Sequence, residues 1–145
     1  MTRKKRTFRL ALAPLACAVA APAANACPGP PIVFFATGSA DLSEVSRAVL
    51  DWGLGVFRQS DDRISIEGYA DRAGPADRNM ALSRRRAEAV RDYLVSRGIA
   101  RGRIGLEYYG ESRPFVDTAD DVAEPQNRVA TLVNRNWCGP PQPPP

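Results

Sequence analysis

The sequence predicts an α/β (α+β) fold, in which two main helices pack mostly on one face of a mixed four-stranded sheet. Short apolar or alternating segments, typical of strands, are twice separated by longer segments with helical periodicity. Helices between strands favour parallel crossovers that cover a sheet. The 145 residues suffice for one domain with a modest core and are too few for two.

The first half of the predicted domain runs strand, helix, strand. The segment IVFFA at 32–36 is short and continuously apolar, which predicts a strand buried on both faces. A helix is predicted over 43–58, with Asp41 or Ser43 as its N-cap and two glycines that weaken it. Its apolar residues repeat at helical spacing: Val45, Ala48, Val49, Trp52 and Val56. The alternating segment RISIEGY at 63–69 predicts the second strand.

The second half runs helix, strand, loop, strand. The long helix is predicted from about Asp77 to Arg97, and Gly98 stands where a left-handed C-cap belongs. The alternating segment RIGLEYY at 103–109 predicts the third strand. A loop with room for one helical turn follows, and the segment RVATLVN at 128–134 is predicted to close the domain as a strand.

Residues 1–26 are predicted to be a secretory signal peptide. Five cations precede an Ala-rich apolar stretch, and ANA at 24–26 fits a small-residue cleavage site. The alternatives are a membrane anchor, a disordered basic tail, or lipidation at Cys17. Without these cations the chain keeps 15 basic against 16 acidic residues, so its charge gives no indication of a nucleic-acid partner.

Proline-rich segments flank the predicted domain of residues 32–135. CPGPP at 27–31 predicts a rigid lead-in, and residues 136–145 predict an extended Cys- and Pro-rich tail. Cys27 and Cys138 stand at the two ends of the exported chain, in an oxidising compartment. A disulfide between them is therefore predicted, with two free thiols as the alternative.

One arginine of the triplet in LSRRRAEAV lies on the apolar face of its predicted helix. At about 100° per residue, Arg86 falls within the apolar stripe, whereas Arg84 and Arg85 lie away from its centre. A guanidinium on such a stripe must be paired or must line an opening. Periodicity favours a structural role, as a salt bridge to Asp71 or Asp77 or a snorkelling side chain. The functional alternative is a pocket that offers one acid and one arginine to a zwitterion.

The segment from Ile64 to Pro114, ISIEGYADRAGPADRNMALSRRRAEAVRDYLVSRGIARGRIGLEYYGESRP, resembles the C-terminal domain of outer-membrane protein A. Its central run has the family pattern G-x-x-D-x-x-G-(x4)-N-x-x-L-S-x-x-R-A, and the similarity covers roughly 32–135. The resemblance implies an OmpA-like sandwich that binds peptidoglycan non-covalently through the diaminopimelate of its stem peptide. It also implies that Asp71 and Arg86 grip the free amino-acid end of that residue.

The same resemblance implies supporting roles for three further residues. Asn79 is expected to shape the loop or contact the peptide, Gly74 to allow a tight turn, and Arg128 to keep an arginine near the last strand. The sequence departs from the family where Tyr69 and Ala70 replace a histidine and a threonine, and where QNRVA replaces an NRRV pattern. The alternative function is therefore an OmpA-like interaction module that no longer binds the wall.

The residue inventory favours a binding protein over an enzyme. The chain has no histidine, and no metal cluster or phosphate-binding loop is evident in its sequence. We expect no cofactor and no metal. The expected partners are the peptidoglycan stem peptide and an outer-membrane or other envelope protein, in the periplasm of a Gram-negative bacterium.

Overall fold

Four strands form one mixed sheet at the centre of the structure, a computed structural model that describes residues 29–134. The strands are β1 (Ile32–Phe34), β2 (Ile64–Gly68), β3 (Ile104–Tyr108) and β4 (Val129–Val133). Their order across the sheet is β1-β4-β2-β3. β2 and β3 are parallel, whereas β4 is antiparallel to both of its neighbours, β1 and β2. The predicted mixed four-stranded sheet is confirmed.

Two helices, α1 (Glu44–Phe57) and α2 (Ala76–Ser96), supply the second layer of the fold. The core lies between them and one face of the sheet, because alternate strand residues point towards the helices. Its strand members include Val33, Ile64, Ile66 and Leu132, and its helix members include Leu50, Leu54, Phe57, Val90 and Leu94. Within residues 29–134, no helix is both long and apolar enough to cross a bilayer.

The helix ends follow their sequence signals. Ser43 caps α1, since its hydroxyl accepts the N–H of Ser46 at 3.1 Å. After α2, Gly98 takes a left-handed conformation with φ +92°, and the N–H of Ile99 donates to the Leu94 carbonyl at 3.1 Å. Ile99 is buried in the core. The predicted left-handed cap is confirmed.

The prediction that 32–36 forms a strand buried on both faces is wrong. β1 has three residues and lies at the edge of the sheet. Val33 is fully buried, but the side chain of its neighbour Phe34 points the other way and the residue is 54% exposed. A continuous apolar run does not distinguish a central strand from a short edge strand whose outer face has no helix over it.

Only part of the apolar stripe predicted for α1 lies on the core, since Val49 and Val56 pack against it. Val45 and Trp52 are 75% and 52% exposed, because the buried side consists of Ser46, Leu50, Gly53, Leu54 and Phe57. Gly53 lets α1 approach the chain before β1 closely, since a Cβ there would lie 3.0 Å from Pro31 Cγ. Apolar residues stand on both sides of this helix, so periodicity alone could not select the face that packs on the sheet.

The two ends of the sheet carry different parts of the chain. β1, β2 and β3 run in the same direction, and β4 runs against them. The loops that follow β1, β2 and β3 therefore meet the segment before β4 at one end, which we call the loop end. β1 begins and β4 finishes at the opposite end.

The cysteines and the predicted signal peptide lie outside the described residues, as do residues 135–145. The described strands still bear on the predicted disulfide. Ile32 pairs with Thr131, and the Leu132 N–H donates to the Pro31 carbonyl at 3.2 Å, so the chain enters and leaves this region side by side.

We therefore expect one Cys27–Cys138 disulfide in the exported protein. Closing a loop of this length would stabilise the fold by about 4–5 kcal/mol in the chain-entropy model, less any strain. Mass spectrometry of peptides under non-reducing conditions should show the linked pair. Two thiols that react with an alkylating reagent in the native protein would contradict the prediction.

Candidate functional site

The close approach of α2 to β2 builds the loop end of the sheet. Gly68, the last residue of β2, faces the main chain of Ser83, and a Cβ on Gly68 would lie 2.1 Å from the Ser83 carbonyl oxygen. Only a residue without a side chain permits this contact. One turn further along α2, Arg86 consequently lies beside Tyr69, the first residue after β2.

Arg86 is completely buried, with 0% exposure, as its helical phase predicts. Its Nε donates to the carbonyl of Ser39 at 3.0 Å, Nη1 to that of Tyr69 at 2.8 Å, and Nη2 to that of Ala36 at 3.2 Å. Its guanidinium lies 5.2 Å from the centre of the Phe35 ring. The side chain therefore ties the loop after β1 to the end of β2.

The carboxylates of Asp71 and Asp77 are not hydrogen-bond acceptors of Arg86, so the predicted internal salt bridge is wrong. The acceptors are main-chain carbonyls, which carry no residue-specific signal. Burial lowers the pKa of Arg86 to about 10; the charge of Asp71 opposes this shift, and Arg128 and then Arg85 add to it. A group with that pKa remains a cation at neutral pH.

Asp71 forms an ion pair with Arg128. Its Oδ2 accepts from Arg128 Nη1 at 3.2 Å and from the Glu124 N–H at 3.3 Å, and its side chain is 4% exposed. Arg128 Nε also donates to the Phe35 carbonyl at 3.2 Å. One carboxylate thus lies close to two guanidinium groups, Arg128 in contact and Arg86 through its charge. This cluster of three has an excess of one positive charge.

Asn79 and Gly74 shape the loop between β2 and α2. The buried Asn79 amide donates to Glu111 Oε2 at 2.6 Å and to the Gly74 carbonyl at 3.3 Å. Gly74 has φ +88°, which favours glycine. Asp77, in contrast, is exposed and accepts the N–H of Arg78 at 2.8 Å, in the first turn of α2.

Several residues that hold the site were not singled out from the sequence. Arg72 donates to the Thr118 carbonyl and lies 3.4 Å from Asp117, which fastens the β3–β4 loop to the loop after β2. Asn127 is buried and bonds both the N–H and the carbonyl of Val116, at 2.8 and 2.7 Å. No local sequence pattern indicates these contacts.

Glu111 and Ser83 could have been found, because both belong to the motifs that carry the family resemblance. Glu111 accepts from Asn79, as described above. The Ser83 hydroxyl donates to the Met80 carbonyl at 2.8 Å and accepts the N–H of Gly110 at 3.0 Å. The two side chains connect α2 to the turn that follows β3.

Tyr69, where the family usually has histidine, directs its side chain away from the Arg86 cluster. Its hydroxyl donates to Glu67 Oε2 at 2.7 Å, and its ring lies 5.3 Å from that of Tyr109 and 5.0 Å from that of Phe115. Burial and then the bond to Glu67 raise the pKa of Tyr69, which keeps the phenol protonated. The substitution therefore changes an aromatic cluster, whereas the Tyr69 carbonyl still binds Arg86.

A shallow open groove lies between the start of α2 and the β3–β4 loop. Its volume is about 280 Å³, and its lining residues are Arg72, Ala76, Met80, Tyr109, Glu111, Ser112 and Asp120. The Asn79–Glu111 hydrogen bond forms part of this region. The groove therefore borders the loop that carries Asp71.

The sheet order, the two helices and the motif around Asp71 and Arg86 define a member of a known class. Residues 34–128 match the model of the OmpA family, and the chain belongs to that family. It is 36% identical over 99 residues to the peptidoglycan-associated lipoprotein of Pseudomonas aeruginosa, covering 68% of this chain and 59% of that protein. It is 40% identical over 105 residues to the protein of the same name from Rhizobium meliloti, covering 70% and 58%.

Solved structures agree with this assignment. The peptidoglycan-associated lipoprotein of Burkholderia pseudomallei matches with a TM-score of 0.64 and 30% identity, over 72% of this chain and 90% of that one. The OmpA-like domain of FopA1 from Francisella tularensis matches in fold with a TM-score of 0.60 and 23% identity, over 71% and 70%. The predicted family and fold are confirmed. The chain spans somewhat less than 60% of the length of the two lipoproteins matched by sequence.

Proposed function

We propose that this domain binds peptidoglycan non-covalently in the periplasm and so holds its protein at the cell wall. The function is binding, without a chemical reaction. The OmpA family membership and the relatives whose names associate them with peptidoglycan support it. The observation that carries the proposal is the buried cluster of Asp71, Arg86 and Arg128, in which one carboxylate lies with two cations.

The ligand we propose is the diaminopimelate of the stem peptide. Its free end carries an ammonium and a carboxylate on one carbon, so it offers a charge of each sign within a small volume. Asp71 would take the ammonium, and Arg86 would take the carboxylate. Three of the five N–H groups of Arg86 bind main-chain carbonyls, which leaves two for a further acceptor. The excess positive charge of the cluster favours a ligand that brings a carboxylate.

The alternative is an OmpA-like interaction module that does not bind the wall. One observation favours it: Asp71 is already paired with Arg128, and Arg86 with carbonyls. A domain that had lost its ligand would also need such internal pairing, because an unpaired buried charge is costly. Sedimentation with the cell wall separates the two functions.

Purified peptidoglycan should sediment the wild-type domain, and Asp71→Asn should lose at least tenfold in affinity. This substitution keeps the shape of the side chain and removes the charge that holds an ammonium. Asp77→Asn is the matched control, since Asp77 is exposed at the start of α2, and it should bind like wild type. Equal retention of Asp71→Asn and wild type would refute the site, and no retention of wild type would favour the interaction module.

The diaminopimelate assignment has its own test. Soluble wall fragments that contain lysine at the same position lack the carboxylate at the free end and keep the amine. Calorimetry should therefore show binding of diaminopimelate fragments at least tenfold tighter than lysine fragments. Equal affinities would contradict the role given to Arg86, whereas binding to the wall as a whole could remain.

A further inference from the structure

We propose that Arg128 occupies, in the free domain, the place of the ligand's ammonium on Asp71, and so makes the site selective for zwitterions. The inference rests on the proposed function. Arg128 is then an internal competitor for the Asp71 carboxylate, and a ligand must displace Arg128 in order to bind.

Asp71 and Arg86 are covered in the free domain. The Asp71 side chain is 4% exposed and Arg86 has no exposed surface, so a ligand cannot contact either group unless a covering group moves. The Arg128 side chain is 13% exposed, more than that of its partner. Arg128 is therefore the member of the ion pair closer to solvent.

The hydrogen bonds around Asp71 allow Arg128 to leave it. The two bonds to Asp71 Oδ2, from Arg128 Nη1 at 3.2 Å and the Glu124 N–H at 3.3 Å, are both long for charge-assisted hydrogen bonds. Arg128 has a second attachment, because its Nε donates to the Phe35 carbonyl. Nη1 can thus leave Asp71 while the side chain stays at the site. The released guanidinium remains near the ligand's carboxylate.

The charge of the ligand decides how well it can replace Arg128 at the cluster. A simple amine that displaces Arg128 pairs with Asp71 and leaves the guanidinium groups of Arg86 and Arg128 without an anion. A simple carboxylate meets Asp71 and Arg128 still paired. A zwitterion supplies a cation to Asp71 and an anion to the released Arg128 and to Arg86. The replacement of Arg128 by a ligand on Asp71 therefore selects ligands that carry both an ammonium and a carboxylate.

Two small molecules with related carbon chains test this directly: meso-diaminopimelate, and cadaverine, which has the amines without the carboxylates. Calorimetry on Arg128→Gln should show cadaverine binding about tenfold tighter than wild type, and a loss of at least tenfold in the preference for diaminopimelate over cadaverine. Arg47→Gln, a change at an exposed arginine of α1, is the control and should match wild type. Cadaverine binding that is unchanged, weaker or absent in Arg128→Gln would overturn the inference.

A second measurement uses the wild-type protein and so does not depend on how the variant folds. When diaminopimelate saturates the site, Arg128 Nη1 exchanges Asp71 for the ligand's carboxylate, and the NMR signals of the Arg128 guanidinium should shift. The Arg78 amide, bonded to Asp77, is an internal reference and should not change. Unchanged Arg128 guanidinium signals at saturation would overturn the inference.

These outcomes are separable from those of the proposed function. Wild-type protein that binds the wall while Arg128→Gln gains nothing for cadaverine refutes the competitor and leaves wall binding intact. Wild-type protein that does not sediment with peptidoglycan refutes the proposed function. A gain for cadaverine in Arg128→Gln would even then support the exchange.

Discussion

Arg86→Ala should destabilise the domain by about 3–5 kcal/mol, the range expected when a buried, hydrogen-bonded charged group is removed. The guanidinium satisfies carbonyls of Ala36, Ser39 and Tyr69, and an alanine leaves all three without that donor. It also leaves a void beneath the Phe35 ring. Burial of the charge is itself unfavourable, as the lowered pKa of Arg86 indicates, but an apolar side chain cannot replace its hydrogen bonds.

Urea unfolding followed by circular dichroism measures this loss. Arg85→Ala removes the same side chain one position earlier, where it is exposed, and should change the free energy of unfolding by less than about 0.5 kcal/mol. A loss of that small size for Arg86→Ala would show that the buried arginine serves ligand binding alone. Because Arg86→Ala is expected to unfold readily, Asp71→Asn is the better variant for binding experiments.

Gly68→Ala should cost at least about 3 kcal/mol, comparable with the largest effects of overpacking a core. The new Cβ would lie 2.1 Å from the carbonyl oxygen of Ser83 and 3.3 Å from the Cβ of Ala87. Main-chain atoms of α2 would have to move, since no flexible side chain can yield. This movement would separate Arg86 from the Tyr69 carbonyl, so binding should weaken together with stability.

Gly105→Ala provides the matched control in the neighbouring strand. There the nearest heavy atoms to a new Cβ, in Arg63 and Ile64, are 3.8 and 3.9 Å away, which is ordinary contact. Thermal unfolding should place Gly105→Ala within a few degrees of wild type and Gly68→Ala far below it. Similar midpoints for the two variants would mean that α2 adjusts to the side chain at little cost.

Much of the fold could be predicted because the sequence marks its helix ends and strand alternation. Ser43 and Gly98 mark the start of α1 and the end of α2, and the alternating Ile64 and Ile66 define the core face of β2. The face of α1 could not be predicted, because both of its sides carry apolar residues. The edge position of β1 depends on pairing with β4 at the far end of the chain.

The charged residues of the candidate site could be selected from the sequence, and their contacts could not. Helical phase identified Arg86 as buried, and the family resemblance selected Asp71. Neither indicated that Arg86 binds carbonyls or that Arg128 takes Asp71. Carbonyls are common to every residue, and the Asp71–Arg128 pair joins segments that meet only when β4 inserts beside β2.

The sheet topology also has a mechanical consequence. β1 begins and β4 finishes at the end of the sheet opposite Asp71, about 17 Å away for strands of five residues. A force between a ligand at the proposed site and either of these strand ends would run along the strands, across which the ladder hydrogen bonds lie. Such a force loads many bonds together in shear. Pulling the start of β1 away from the end of β4 would instead open their ladder one pair at a time, so the domain should resist tension best along the line from Asp71 to these strand ends.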